Sequence, residues 1–207
     1  CAGIRARFTS MDLGLVTGNV AAYGRMRVDH RALTHAQREP RKVQPFTAAE
    51  VKHLLAETEG WDRWSAGIAA AAGLRLGDVC QLEHACFAVP GHIIVWTDKR
   101  DRRVCLPIDN AVTPGLAGIL AEIPPTDSPY VFPEQKAQYD DVTKGRSAFS
   151  IHFLRLMRRL GIEGKSFHSL RHHAITRWSA QGFSLEQCKD YAGHTNSKTT
   201  EGYIHAS

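Results

Sequence analysis

Five places in the sequence hold polar residues that its helix and strand pattern does not require. They are Arg75 in GLRLGDV, Lys99 in a charged turn, His168 with Arg171 in FHSLRHHAIT, His194 in YAGHTNS and Tyr203 in TTEGYIHAS. His168 and Arg171 stand three residues apart, so a helix would project both side chains from one face toward one anion. Taken singly, each residue is explained as well by a structural role, such as a solvated arginine or a half-buried tyrosine. Only the complete set indicates a site.

Together these residue types could carry out an attack on a phosphodiester. Two guanidinium groups can bind the non-bridging oxygens and neutralise the charge that grows in the transition state. A tyrosine hydroxyl can act as the nucleophile, a histidine can take its proton, and a lysine can protonate the leaving oxygen. The set therefore predicts metal-independent chemistry on a nucleic-acid backbone.

This chemistry requires no cofactor, and the sequence offers little support for a metal site. It lacks the clustered carboxylates that hold Mg²⁺ in two-metal nucleases. His172 and His173 directly follow Arg171 and could pair with His168 or His194 on a metal. No acidic or thiolate partner has suitable spacing, however, so we expect no metal ligand set.

The patterning predicts a mainly α protein, formally α+β, with a small antiparallel β-sheet. Thr47 and Glu50 form a capping box at the start of a helix, and Gly73 should end a second helix over 61–72. Apolar segments at 93–96 and 104–108 predict a β-hairpin, and 84–89 could add a third strand. Further helices are expected at 76–82, 113–122, 147–160, 168–181, 185–192 with Ser184 as cap, and 197–204.

The charge distribution divides the chain near Pro45. The 207 residues carry a net charge of +5, and residues 1–45 hold eight basic and three acidic residues, which leaves the remainder balanced. We expect 1–45 to be a basic N-terminal segment and linker, and 46–207 to be one folded domain. A basic linker favours an anionic partner such as nucleic acid.

Composition excludes several other classes of protein. With 43% apolar and 23% charged residues, the chain is neither disordered nor collagenous. It has no apolar run of the length of a membrane span and no signal peptide, so we expect no membrane partner. Five cysteines without a C-x-x-C pair support neither a zinc ribbon nor a disulfide framework, and they favour a cytoplasmic location.

The segments GLRLGDV, HSLRHHAIT and AGHTNSKTTEGYIHAS, in that order, resemble the catalytic domain of the tyrosine recombinases, the phage-integrase family. The resemblance covers about residues 46–207. It implies that these residues are a catalytic domain with the catalytic-core fold of that family, and that 1–45 is a basic N-terminal segment and interdomain linker. Arg75 matches the family's G-L-R arginine, and Asp78 matches an acidic residue that helps to hold it. Lys99 stands eight residues before Pro107, as the family's hairpin lysine does.

The resemblance fills the remaining positions and implies a role for each. His168 and Arg171 match the H-x-x-R motif, and His194 in A-G-H matches the family's L-G-H, with Tyr203 nine residues later. It implies that Tyr203 forms a 3′-phosphotyrosyl link while His168 acts as general base and Lys99 as general acid. Arg75 and Arg171 would clamp the phosphate, and His194 would hydrogen-bond it. DNA contacts outside this set are expected from Arg38, Arg41, Lys42, Arg100, Arg102 and Arg103.

The same resemblance implies a site-specific recombinase that works on double-stranded DNA as a homotetramer, without a cofactor. Relatives usually carry a helical DNA-binding domain before the catalytic one and a docking segment after the tyrosine. The sequence begins with Cys1 and ends four residues after Tyr203, so we expect an excised portion of a longer enzyme. We expect this portion to be monomeric in solution and to bind DNA weakly.

Two alternatives remain open. Type IB topoisomerases and telomere resolvases use a similar residue set on a related fold, although the compact spacing here favours the recombinases. A DNA-binding relative that no longer catalyses is the other alternative, and the complete residue set argues against it.

Overall fold

The structure, a computed structural model, describes residues 44–97, 102–108, 111–194 and 200. The chain divides into two units, Cys1–Arg41 and Lys42–Ser207, and all described residues lie in the second. The predicted boundary near Pro45 stays a prediction.

The described residues form eight α-helices and one two-stranded antiparallel sheet, which confirms the expected fold class. In chain order, the elements are α1 Ala48–Ala56, α2 Gly60–Ala72, α3 Leu76–Cys80, a 3₁₀ turn His84–Phe87, β1 His92–Thr97, β2 Arg102–Pro107, α4 Leu116–Ala121, α5 Pro133–Asp140, α6 Gly145–Arg159, α7 Phe167–Ala180 and α8 Leu185–Ala192. Within the described ranges, none of these helices is long and apolar enough to cross a membrane.

Local sequence signals set several helix ends as expected. The Glu50 backbone N–H donates to Thr47 Oγ1 at 3.1 Å, and Glu50 Oε2 accepts from the Thr47 N–H at 2.7 Å. Helix α2 ends at Gly73, which adopts the left-handed conformation with φ +66°. Ser184 caps α8 through the Gln187 N–H at 3.2 Å. These signals act within four residues, which is why the sequence reveals them.

Two expectations about 84–140 were incomplete or wrong. The third strand expected at 84–89 is a 3₁₀ turn, because the neighbouring backbone pairs with residues 129–131 instead. His84 N–H donates to Pro129 O at 3.0 Å, and Val131 N–H donates to Leu82 O at 2.8 Å. Helix α5, which was not expected, is polar and offers no apolar stripe. Its only sequence signal is Pro133 at the first helical turn.

The sheet buries one face against the helices. Ile93 and Val95 of β1 and Val104 and Leu106 of β2 are buried, whereas Trp96 and its register partner Arg103 lie on the outer face. The core forms two clusters, and different faces of α2 contribute to each. One contains Ile68, Ala71 and Ala72 with the sheet and Trp178, and the other contains Ala66, Ala69 and Ala70 with Phe153 and Leu170.

The start of α1 is fixed to the segment that carries α7. Lys165 Nζ donates to Pro45 O at 2.5 Å and lies 3.5 Å from Glu50 Oε2. His173 Nδ1 donates to Phe46 O at 2.7 Å. Phe46 is itself buried in the second cluster. The first residues of the domain are therefore held by side chains that flank the H-x-x-R motif.

Replacing Gly73 by alanine should destabilise the fold. A Cβ at Gly73 would lie 2.9 Å from the Trp178 ring, on a backbone with φ +66°. Overpacking and left-handed strain together should lower the free energy of unfolding by about 2–4 kcal/mol.

Gly118→Ala is the matched control, because Gly118 is an exposed residue of α4 with nothing within 4 Å of its would-be Cβ. It should be neutral or stabilising by up to about 1 kcal/mol. Urea denaturation measures both variants, and a Gly73→Ala protein as stable as Gly118→Ala would contradict the packing described.

Candidate active site

Arg75 lies three residues after Ala72, the last residue of α2, and is the N-cap of α3. Its backbone N–H donates to Asp78 Oδ2 at 3.1 Å, and its Nη1 lies 3.7 Å from the same oxygen. Asp78 is almost fully buried, and the Arg75 side chain is 19% exposed. One carboxylate thus fixes both the main chain and the guanidinium, which leaves Arg75 partly open to solvent and able to meet an anion.

Arg171 is more deeply buried than Arg75. Its side chain is 1% exposed, Nη1 donates to Gly73 O at 2.6 Å, and Nη2 donates to Ala192 O. These carbonyls belong to the C-terminal ends of α2 and α8, where the helix dipole is negative and favours a cation. Gly73 stands two residues before Arg75, and Ala192 two before His194. One guanidinium therefore brings the G-L-R, H-x-x-R and A-G-H segments together.

Arg177, six residues further along α7, has a related structural role that the sequence analysis missed. Its Nη1 donates to Ala70 O at 2.8 Å, and its Nη2 donates to Ala71 O at 2.7 Å and Val112 O at 2.8 Å. Burial lowers the pKa of Arg177 to about 10, so it remains a cation at neutral pH. The sequence signal for this role is that Arg177 lies beside the apolar stripe of Ala174 and Trp178, which places its side chain at the edge of the core.

His168 lies in the first turn of α7 and is exposed, although Arg171 on the same helix is buried. The His168 and His172 rings pack edge to face, with centroids 5.1 Å apart and an interplanar angle of 83°. Burial lowers the pKa of His172 to about 4, helped by the nearby His168 and Arg171. His172 is therefore neutral at physiological pH.

His194 is buried behind the sheet. Its Nδ1 is hydrogen-bonded to Thr200 Oγ1 at 3.0 Å, and its backbone N–H donates to Lys189 O at 2.9 Å. Gly193 has φ +61°, and a Cβ there would lie 2.8 Å from Val104 Cγ2. Only glycine lets the A-G-H turn approach β2 so closely, and this approach sets His194 beside the hairpin that carries Lys99 in the sequence.

Several predicted site residues lie outside the described residues. These are the proposed nucleophile Tyr203, Lys99, Arg100, the side chain of Arg102, and the linker residues Arg38, Arg41 and Lys42. Arg103 is described and exposed on β2. Thr200, which is buried and bonded to His194, stands three residues before Tyr203.

The described part of the site combines two cations, one exposed histidine and one buried histidine. A guanidinium withdrawn from water, as that of Arg171 is, can stabilise an anion more strongly than a solvated one can. Among the described residues, no three His, Cys, Asp or Glu side chains are grouped to share a metal ion. The arrangement is suited to binding a phosphate beside an exposed proton acceptor.

Comparison with known proteins identifies the family of the chain. A family model described as the phage integrase family matches residues 44–207. Tyrosine recombinase XerA of Thermococcus kodakarensis is 26% identical over 203 residues, which cover 95% of this chain and 71% of that protein.

Solved structures share the fold. A lambda integrase dimer bound to a COC′ core site has a TM-score of 0.63 at 19% identity, over 87% of this chain and 53% of that one. The catalytic domain of bacteriophage HP1 integrase has a TM-score of 0.58 at 19% identity, over 80% of this chain and 89% of that one. The chain thus spans about half the length of that lambda integrase chain.

The fold is that of a tyrosine recombinase catalytic domain. Since the family match extends over most of the sequence, the chain belongs to the phage integrase family.

Arg171→Lys should lower the free energy of unfolding by about 2 kcal/mol, because an ammonium cannot reach both helix-end carbonyls from one buried position. Arg155→Lys, on the exposed face of α6, is the control and should change stability by less than about 0.5 kcal/mol. Urea denaturation compares the two, and equal stabilities would show that the Gly73 and Ala192 contacts do not depend on a guanidinium.

Acid should destabilise the fold partly through His172. Its pKa falls from 6.5 to about 4 on folding, so between these values the unfolded chain binds a proton that the folded chain does not. The free energy of unfolding therefore falls as the pH is lowered from about 6.5 to 4. His172→Phe should lose less stability than the parent between pH 7.5 and 5 in urea denaturation, and parallel losses would refute this origin.

Proposed function

We propose that this chain is the catalytic part of a site-specific DNA recombinase that cleaves and rejoins strands through a 3′-phosphotyrosyl intermediate. The observation that carries the proposal is the Arg171 guanidinium, which joins the G-L-R and A-G-H segments through Gly73 O and Ala192 O. Membership of the phage integrase family supports it, as does the relative described as a tyrosine recombinase.

In the proposed reaction, the Tyr203 hydroxyl oxygen attacks the scissile phosphorus, and the bond from phosphorus to the 5′ oxygen breaks. The tyrosine proton passes to His168, and Lys99 gives a proton to the leaving 5′ oxygen. The phosphotyrosine keeps the bond energy, so the 5′-hydroxyl of another strand can reverse the step and join to it. Tyrosine is then released, and no cofactor or ATP is consumed.

The charged residues have different parts in this proposal. Arg171 has two nitrogens engaged by backbone carbonyls, so it acts first as a fixed positive charge that needs no reorganisation during the reaction. Arg75 is more exposed and is the guanidinium that we assign to direct phosphate binding. His194, held by Thr200, is assigned a hydrogen bond to the phosphate.

The partner we propose is double-stranded DNA, with a homotetramer of the full-length parent assembled on it. A solved lambda integrase tetramer bound to a Holliday junction shares this fold. We propose a monomer for the present chain in solution. A cytoplasmic location is proposed because the described cysteines, Cys80, Cys86, Cys105 and Cys188, are free thiols.

The test is covalent capture of DNA. The full-length parent is incubated with a pool of nicked suicide duplexes of random core sequence, and adducts are detected on a denaturing gel. We expect an adduct with the parent, none with Tyr203→Phe, and normal capture with the control Tyr130→Phe. An adduct from Tyr203→Phe would exclude this nucleophile, and no adduct from the parent would favour a non-catalytic DNA-binding protein.

The general acid is tested separately. Lys99→Ala should slow cleavage by about 10²–10⁴-fold, and a substrate with sulfur in place of the leaving 5′ oxygen should restore the rate, because a thiolate leaves without a proton. A Lys99→Ala protein that stays slow on the sulfur substrate would remove Lys99 from this role.

A separate test distinguishes a recombinase from a topoisomerase. If the protein relaxes plasmids that carry no specific site, its activity is that of a topoisomerase instead.

A further inference from the structure

We propose that His172 is a positioning residue for His168, whose imidazole it holds through an edge-to-face ring contact. The inference deepens the proposed function and rests on it, because it concerns the residue assigned as general base. His172 did not enter the sequence analysis as part of that chemistry.

The geometry of α7 supplies the contact. Residues four apart on a helix lie on one face, and the His168 and His172 ring centroids are 5.1 Å apart at 83°. This is the T-shaped arrangement that aromatic rings prefer. His168 is exposed in the first turn of the helix, where a side chain otherwise samples several rotamers. The His172 ring packed against His168 restricts the rotamers that the His168 side chain can adopt.

His172 is well placed to act as the fixed member of the pair, because its neighbours on both sides are anchored. Arg171 donates to Gly73 O at 2.6 Å, and His173 donates to Phe46 O at 2.7 Å. The backbone at His172 is therefore held between two hydrogen bonds that reach different parts of the domain. The His172 ring itself is only partly exposed.

The charge state of His172 suits this role. With its pKa at about 4, His172 is neutral where His168 has to accept a proton. A charged neighbour at this distance would oppose that proton, whereas a neutral ring does not.

The experiment compares His172→Ala with His172→Phe in the full-length parent. The alanine variant removes the ring contact, and the phenylalanine variant keeps an aromatic ring without a titratable group. Single-turnover cleavage of the captured suicide duplex should slow about 3- to 10-fold in His172→Ala, the range that follows from losing one aromatic pair. His172→Phe should cleave within about twofold of the parent, and neither change should alter DNA affinity.

His152→Ala is the matched control, since His152 lies on α6 and contacts Asp62 at 2.8 Å. It should cleave at the parental rate. Thermal melting of each variant separates loss of function from loss of folding. The proposal is overturned when folded His172→Ala cleaves as fast as the parent, when His172→Phe is as slow as His172→Ala, or when the loss is in DNA affinity.

A second readout does not depend on catalysis. NMR relaxation of the His168 ring should show faster and wider motion in His172→Ala than in the parent or in His172→Phe. Unchanged ring motion would overturn the positioning role even in an active enzyme. If His172→Ala alters the motion of the His168 ring but the parent forms no DNA adduct, the proposed function has failed and the ring contact is still real.

Discussion

The described fold depends on the hydrogen bonds from the Arg171 guanidinium to Gly73 O and Ala192 O. A charge that is 1% exposed is tolerated only when hydrogen bonds and an opposite potential compensate for the loss of water. Two helix C-termini contribute to both, because carbonyls that the helices leave unpaired accept from Nη1 and Nη2 and present a negative potential. The ends of α2 and α8 must therefore meet at α7, and this meeting builds the site.

The contacts between α7 and the end of α2 link the geometry of the site to the stability of the core. Trp178 packs against Gly73, and its Nε1 donates to Val112 O at 2.7 Å. Arg177 covers the carbonyls of Ala70 and Ala71. Along α7, Arg171 thus holds the end of α2 by charge, and nearly two turns later the adjacent Arg177 and Trp178 hold it by charge and by ring packing. Arg75 follows directly from that turn, so its position is set by contacts that also stabilise the core.

The sequence predicted the helix ends, which depend on residues close together in the chain. It failed where hydrogen bonds to a distant backbone segment determine the secondary structure. The capping pair Thr47 and Glu50, and the helix end at Gly73, involve residues at most four apart. By contrast, 84–89 has strand-like composition, but it forms a 3₁₀ turn, and the backbone of 82–84 at its start pairs with residues 129–131. Helix α5 has no apolar face to show a period. For the site, the H-x-x-R spacing predicted a shared helix face but not that His168 would be exposed and Arg171 buried.

The difference in burial between His168 and Arg171 has a chemical consequence. A buried guanidinium bound to carbonyls cannot give up a proton or move far, so Arg171 offers a constant positive potential whether or not DNA is present. An exposed imidazole can exchange protons with a hydroxyl that is brought to it. If both residues were buried, the histidine would lose access to the proposed nucleophile, and if both were exposed, water would screen the charge. Placing them one helical turn apart at the edge of the core supplies a fixed charge and an exchangeable proton acceptor at once.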